Sequence, residues 1–169
     1  MLLILLSLLA FAVAGCGESE SSPGGTTTAK GQLPGPVAEK KEAIVDASHA
    51  LDYDGLEELV DTTNFTYSFG ENGHPVRYWR RMEEEAEVPI LGDFLPTVLA
   101  MPWAKLGPVY VWPSVHSKKP SRWTEQERKA LEQLYTEKEI RRFERAGSYL
   151  GWRAGINEDG TWLFFVAGD

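Results

Sequence analysis

The chain is poor in the residues that carry most site chemistry: one cysteine and three histidines among 169 residues. A lone cysteine cannot close an intramolecular disulfide, so a folded domain here must be held by its core alone. The histidines, His49, His74 and His116, are scattered, and no third ligand stands at metal spacing beside any of them. Positive charge is also short. Lys and Arg number 17 against 25 Asp and Glu, a net charge of −8, which argues against nucleic acid or anionic lipid as the main partner. No Gly-x-Ser-x-Gly elbow is present; Ala146-Gly147-Ser148-Tyr149-Leu150 has alanine at the first glycine position. A Gly-Lys-Ser/Thr phosphate loop and a dinucleotide fingerprint are both missing. The sequence therefore predicts no catalytic set, no metal and no cofactor.

What is present begins at the N-terminus. Met1 to Ala14 carry no charge and are nearly all apolar. As a helix, Met1 to Gly15 spans roughly 22 Å, against the roughly 30 Å of a hydrocarbon core. The run is too short for a transmembrane helix and fits the apolar region of a cleaved export signal, with Ala14 and Gly15 as small residues before the cut. Val13-Ala14-Gly15-Cys16 resembles the bacterial lipobox. That resemblance implies a lipoprotein whose Cys16 thiol takes a diacylglyceryl group, becomes the first mature residue and holds the protein to a membrane by acyl chains of the palmitate class. Two or three such chains anchor essentially permanently, where a single one is marginal. No Lys or Arg precedes the apolar run, so either the true start lies upstream or the terminal amine is the only positive charge. Gly17, not Asp, follows Cys16; by the same resemblance the address is the cell membrane or the outer membrane, on the extracytoplasmic side.

Gly17 to Pro36 is dominated by Gly, Ser, Thr and Pro, with Leu33 its only large aliphatic residue. It cannot bury enough apolar surface to order itself and is expected to act as a flexible tether reaching roughly 25 Å. The expected organisation is a signal over 1–15, a tether over 16–36 and one globular domain over 37–169. Six Trp, six Tyr and seven Phe are enough to fill its core.

The patterning predicts an α+β domain: a small antiparallel sheet with a C-terminal hairpin, packed by several short helices. A first helix runs from about Val37 to Ala50, with Ile44, Ala47 and Leu51 along one stripe. Asp54 and Glu57 stand at capping-box spacing before a short second helix. Phe65, Tyr67 and Phe69 alternate with polar residues as in a half-buried strand, closed by a 70–73 loop. Pro75 opens a helix with Val76, Trp79 and Met82, and the acidic run Glu83 to Glu87 is its solvated end. Asp93 precedes a short apolar helix ended by Pro102. Val109 to Trp112 is a compact strand. Thr124 with Glu127, and Thr136 with Glu139, are capping boxes opening two more helices. Tyr149 to Ile156 and Trp162 to Val166 form the hairpin around Asp159-Gly160. The last strand is apolar on both faces and is expected to be covered rather than left as an exposed edge.

The segment around Ala50-Leu51-Asp52-Tyr53-Asp54-Gly55-Leu56, within residues 39–69, resembles the start of NTF2-like (SnoaL-like) domains, α+β cones around a pocket. That likeness implies a small-molecule-binding protein or enzyme whose pocket is lined by Phe65, Tyr67 and Trp152 with a polar group such as His49 inside. The C-terminal run from Tyr149 resembles the tail of small exported bacterial proteins and carries no activity with it. His49 and Asp46 can share a helix face, but a solvated or locally bonded histidine is the simpler reading. A cell-wall hydrolase would need two facing carboxylates in a cleft, a separation that sequence does not give. The remaining constellation is aromatic and basic: Trp112 and Trp123 bracket a polar loop holding His116, Lys118, Lys119 and Arg122. Aromatics beside Arg and Lys favour protein or sugar partners. The expectation is a non-enzymatic binding module of the cell envelope, meeting an envelope protein or glycan through that loop. Arg153, on a strand, is either a surface residue or a buried ion-pair partner.

Overall fold

The computed structural model describes residues 27–28, 31–68 and 73–168. The expected signal, Cys16, most of the tether, Phe69 and positions 70–72 lie outside the described residues. The fold is α+β, an antiparallel meander with short helices packed on it.

Pro34 and Pro36 open α1 (Gly35–His49), where the lost N–H of proline costs nothing, and the helix buries Val37, Ile44 and Ser48. It ends in a Schellman turn: Leu51 N–H donates to Ser48 O at 3.1 Å and Asp52 N–H to Ala47 O at 2.9 Å. Leu51 occupies the left-handed position usually given to glycine, with φ 52°. It leaves the expected stripe and is 54% exposed. α2 (Tyr53–Glu58) is capped by Asp52, whose carboxylate accepts from Gly55 N–H at 2.9 Å. The cap therefore lies two residues before the expected Asp54, and Glu57 is left to pair with Arg77 across to α3 (Pro75–Ala86).

The expected strand at Phe65 shrinks to one bridge. Thr66 N–H donates to Leu163 O and Thr66 O accepts from Phe165 N–H, parallel to the last strand. The predicted alternation still holds on either side of it: Thr66 is exposed, while Phe65 and Tyr67 both meet the Trp79 ring. α3 buries Val76 and Trp79. A π-turn over Ile90–Phe94 then leads into α4 (Leu95–Ala100). Glu83, expected in solvent, is drawn in instead: its carboxylate accepts from Leu91 N–H at 2.5 Å and from the Tyr53 hydroxyl at 3.4 Å.

The sheet runs β1 (Thr27–Thr28), β2 (Ala104–Leu106), β3 (Val109–Trp112), β4 (Arg153–Asn157) and β5 (Trp162–Val166), each antiparallel to the next. β2 has no counterpart in the sequence reading. It pairs with β3 across Gly107-Pro108, and Gly107 supplies the positive φ, 60°, that such two-residue loops require. β4 starts at Arg153, not Tyr149. Residues 149–152 are held as coil by two phenols: the Tyr149 hydroxyl donates to Trp152 O at 2.7 Å, and the Tyr135 hydroxyl accepts from Trp152 N–H at 2.7 Å. Burial pushes both phenols up, so they stay neutral donors and acceptors at physiological pH.

Tyr110, Trp112, Ala154, Ile156, Trp162 and Phe165 face one side of the sheet and form the main core with α1, α3 and α4. Trp79 sits among the rings of Phe165 (5.2 Å), Phe65 (5.8 Å) and Trp162 (6.2 Å). A second cluster of Met101, Val115, Leu131, Ile140, Phe143 and Tyr149 joins α5 (Glu125–Leu131) and α6 (Glu137–Ala146) to the end of β3. Both helices open on the capping boxes read from the sequence. Arg128 ties them together through Glu137 and Glu144.

On the other face, the Phe164 ring lies across Gly155, and a methyl group there would overlap the ring. Gly155→Ala is expected to lower stability by about 1–3 kcal/mol, because the ring must leave its place in the sheet. Thermal or denaturant unfolding of the variant checks this; an unchanged midpoint would show that the Phe164 ring is not held there.

Candidate functional site

The loop between Trp112 and α5 has a defined shape because its polar groups converge on one carboxylate. Ser114 N–H donates to Pro102 O at 2.6 Å as the chain leaves β3 and enters a 3-10 turn over Ser114–Ser117. A second 3-10 turn covers Pro120–Arg122. The Trp123 indole N–H donates back to Val115 O at 3.2 Å, closing the loop on itself. Beneath it lies Glu127, with a side chain 5% exposed. Its Oε1 accepts from the Ser114 hydroxyl at 2.6 Å and from Lys118 Nζ at 2.7 Å; its Oε2 accepts from Thr124 N–H at 3.0 Å and the Thr124 hydroxyl at 3.2 Å. A buried carboxylate costs free energy unless paired and hydrogen-bonded, and here both oxygens are served.

Burial acts to raise the Glu127 carboxyl, but the bonds from Lys118, the Ser114 hydroxyl and Thr124 N–H outweigh it and hold the group below the usual carboxylate range. A depressed folded pKa gives stability that is present above the unfolded value, about pH 4.3, and is lost as pH falls through the folded one.

Lys118, 17% exposed and committed to Glu127, is a structural cation. Lys119 and Arg122 are exposed and have no carboxylate partner among the described residues. With Ser117 and Lys118 they line a cleft of about 470 Å³. In a chain of net charge −8, a cleft with this lining is a local reversal of sign. Charged donors without internal acceptors offer hydrogen bonds and Coulomb attraction to an anion.

The structure regroups the other expected site residues. Trp112 is not part of the loop surface: it points from β3 into the main core and is fully buried. Its apolar strand neighbours and its bulk carry it inward. Trp123 is half-buried against Tyr149, with its N–H already used. His116 is half-buried within the first 3-10 turn. The expected pocket is filled by its own rings. Phe65 packs edge-on to Trp162 at 4.9 Å, Tyr67 meets Trp79, and Trp152 stacks on Phe165 at 4.7 Å. His49 stands exposed at the end of α1, beside a shallow depression with Asp93, Phe94 and Gln133. The three rings are thus packed on core neighbours, while His49 stands at the surface. Arg153 is half-buried, and its guanidinium donates to Gly168 O. Among the described residues, no group of three or more His, Cys, Asp or Glu could hold a metal, and no helix is long and apolar enough to cross a membrane.

Sequence reasoning missed Glu127 as the organiser of this loop, although the Thr124-x-x-Glu127 box was visible. A second depression, about 310 Å³, is bordered by Leu51, Tyr53, Glu83, Glu87, Val88 and Pro89. It brings together Leu51 and Glu87, the non-glycine residues with positive φ, which occur in a few per cent of such positions.

Compared with protein families, with curated proteins and with solved structures, the chain matches none.

Glu127→Gln keeps the shape and removes the charge. It is expected to cost about 1–3 kcal/mol at pH 7, with the difference from the parent narrowing as pH falls below the unfolded carboxyl value, about 4.3, and through the lower folded one. Unfolding midpoints of both forms across pH 3 to 8 check this; a constant difference would place the cost outside the ion pair.

Proposed function

We propose that the chain is a lipid-anchored extracytoplasmic protein that acts by binding rather than by catalysis, held through Cys16 and meeting its partner at the Ser114–Trp123 loop. The observation that carries the reading is Val13-Ala14-Gly15-Cys16 at the end of an uncharged apolar run. Acylation needs that cysteine alone, and no other thiol in the chain competes for it. Thr27 and Thr28 pair with Lys105 and Ala104 at the sheet edge, inside the span expected as tether, so ten residues, 17–26, lie between the anchor and the first described strand. The domain is then kept close to the membrane, on the side to which the export signal delivers it.

Binding rather than chemistry is favoured by the loop itself. Its one buried carboxylate is fully committed to structure, and the charged groups it exposes, Lys119 and Arg122, are cations that suit the holding of anions. The partner is an envelope component, protein or glycan, that presents negative charge.

Intact-mass spectrometry of the protein purified from its own membranes, beside a Cys16→Ala form, tests the address. The expected result is a mature chain beginning at Cys16 with the added mass of acyl chains, absent from the variant. An unprocessed or unacylated chain would contradict it.

A further inference from the structure

We infer that the cleft lined by Ser117, Lys118, Lys119 and Arg122 is a binding site for a phosphate group. The inference rests on reading this loop as the binding face and names the chemistry it takes. The cleft is roomy enough, at about 470 Å³, for a phosphate with part of the molecule bearing it. Its charge is not internally neutralised. Glu127 consumes the Lys118 charge at 2.7 Å, so the loop's own carboxylate leaves Lys119 and Arg122 as surplus cations, unpartnered by any described carboxylate. Two cations around one cleft can each meet an oxygen of the same phosphate, ester or diester, where a carboxylate is satisfied by one of them. Arg presents a planar fork that can grip two oxygens of a phosphate at once, while Lys adds a point charge from the side.

The spacing is also built rather than accidental. Lys119 and Arg122 flank a 3-10 turn closed by Arg122 N–H donating to Lys119 O at 2.8 Å, with Pro120 fixing its first residue. The turn is braced on one side by the Lys118–Glu127 pair and on the other by Trp123 N–H on Val115 O. Both cations are therefore carried on a backbone that does not need to be ordered when the ligand arrives, which lowers the cost of binding. The Ser117 hydroxyl, donating to Ser114 O at 2.8 Å, keeps its lone pairs for a ligand-side donor such as a protonated phosphate oxygen. The acidic remainder of the chain disfavours a broad anionic surface and leaves this cleft as the local exception.

A phosphate can come from a phosphorylated envelope glycan or from a lipid headgroup near the anchor, and one experiment separates them. The full chain in neutral detergent is titrated with inorganic phosphate while amide shifts are followed by NMR, against chloride at equal ionic strength. The titration is repeated in nanodiscs of phosphatidylcholine with and without phosphatidylglycerol. The expected result is saturable shifts confined to residues 114–124, with affinity lowered roughly tenfold in Lys119→Ala and in Arg122→Ala. Both side chains are exposed and unpaired, so neither variant should disturb folding. Phosphate shifts insensitive to phosphatidylglycerol assign a phosphorylated glycan; displacement of phosphate by phosphatidylglycerol discs assigns the headgroup. Shifts that do not saturate, that chloride reproduces, or that persist when both residues are changed would overturn the site. Such a failure leaves the Cys16 acylation result untouched, and a failure of acylation leaves this titration interpretable.

Discussion

A carboxylate buried without a metal must find hydrogen bonds for both oxygens, and Glu127 meets that constraint by gathering the loop around itself. Ser114 comes from the end of β3, Lys118 from the loop and Thr124 from the start of α5. One side chain thus fixes where the sheet hands over to the second helical layer. The hydrophobic cluster of Val115, Leu131, Ile140 and Phe143 packs beneath this handover, and the loop cations stand above it. Remove the charge from Glu127 and Lys118 has no reason to turn inward. The cleft would then gain a mobile cation and lose its wall.

The rest of the domain meets a different constraint, the absence of disulfides, by packing aromatic rings. Trp79, Trp112 and Trp162 are all fully or almost fully buried. Indole nitrogens of Trp79 and Trp112 lack a hydrogen-bond partner among the described residues, so these rings serve as volume rather than as donors. These three rings are thereby committed to the core. The exposed charge includes the cations at 119 and 122 and the acids after Glu83.

The elements visible in the sequence are those decided locally. Val109 to Trp112 lies between prolines, the Asp159-Gly160 turn sets the hairpin, and the boxes at Thr124 and Thr136 start their helices within one turn. What escaped notice depends on pairing and on helix ends that residue patterning does not show. β2 is too short and mixed to announce itself and exists because β3 pairs with it. Thr66 makes a single bridge because only there does the chain run beside β5. Leu51 should have joined a core stripe by periodicity, but the helix ends one residue too soon. The basic loop was legible as a cluster of cations, whereas the division of labour within it was not. Lys118 and Lys119 are adjacent and identical in type, and only the position of Glu127 makes one structural and the other available.

Hydrogen exchange of the full chain and its Glu127→Gln form tests most directly the claim that this carboxylate organises the loop. The account predicts faster exchange over residues 114–124 and the first turn of α5, with α1 and the β4–β5 hairpin unchanged. Equal exchange in the loop, or a uniform loss of protection across the whole domain, would contradict it.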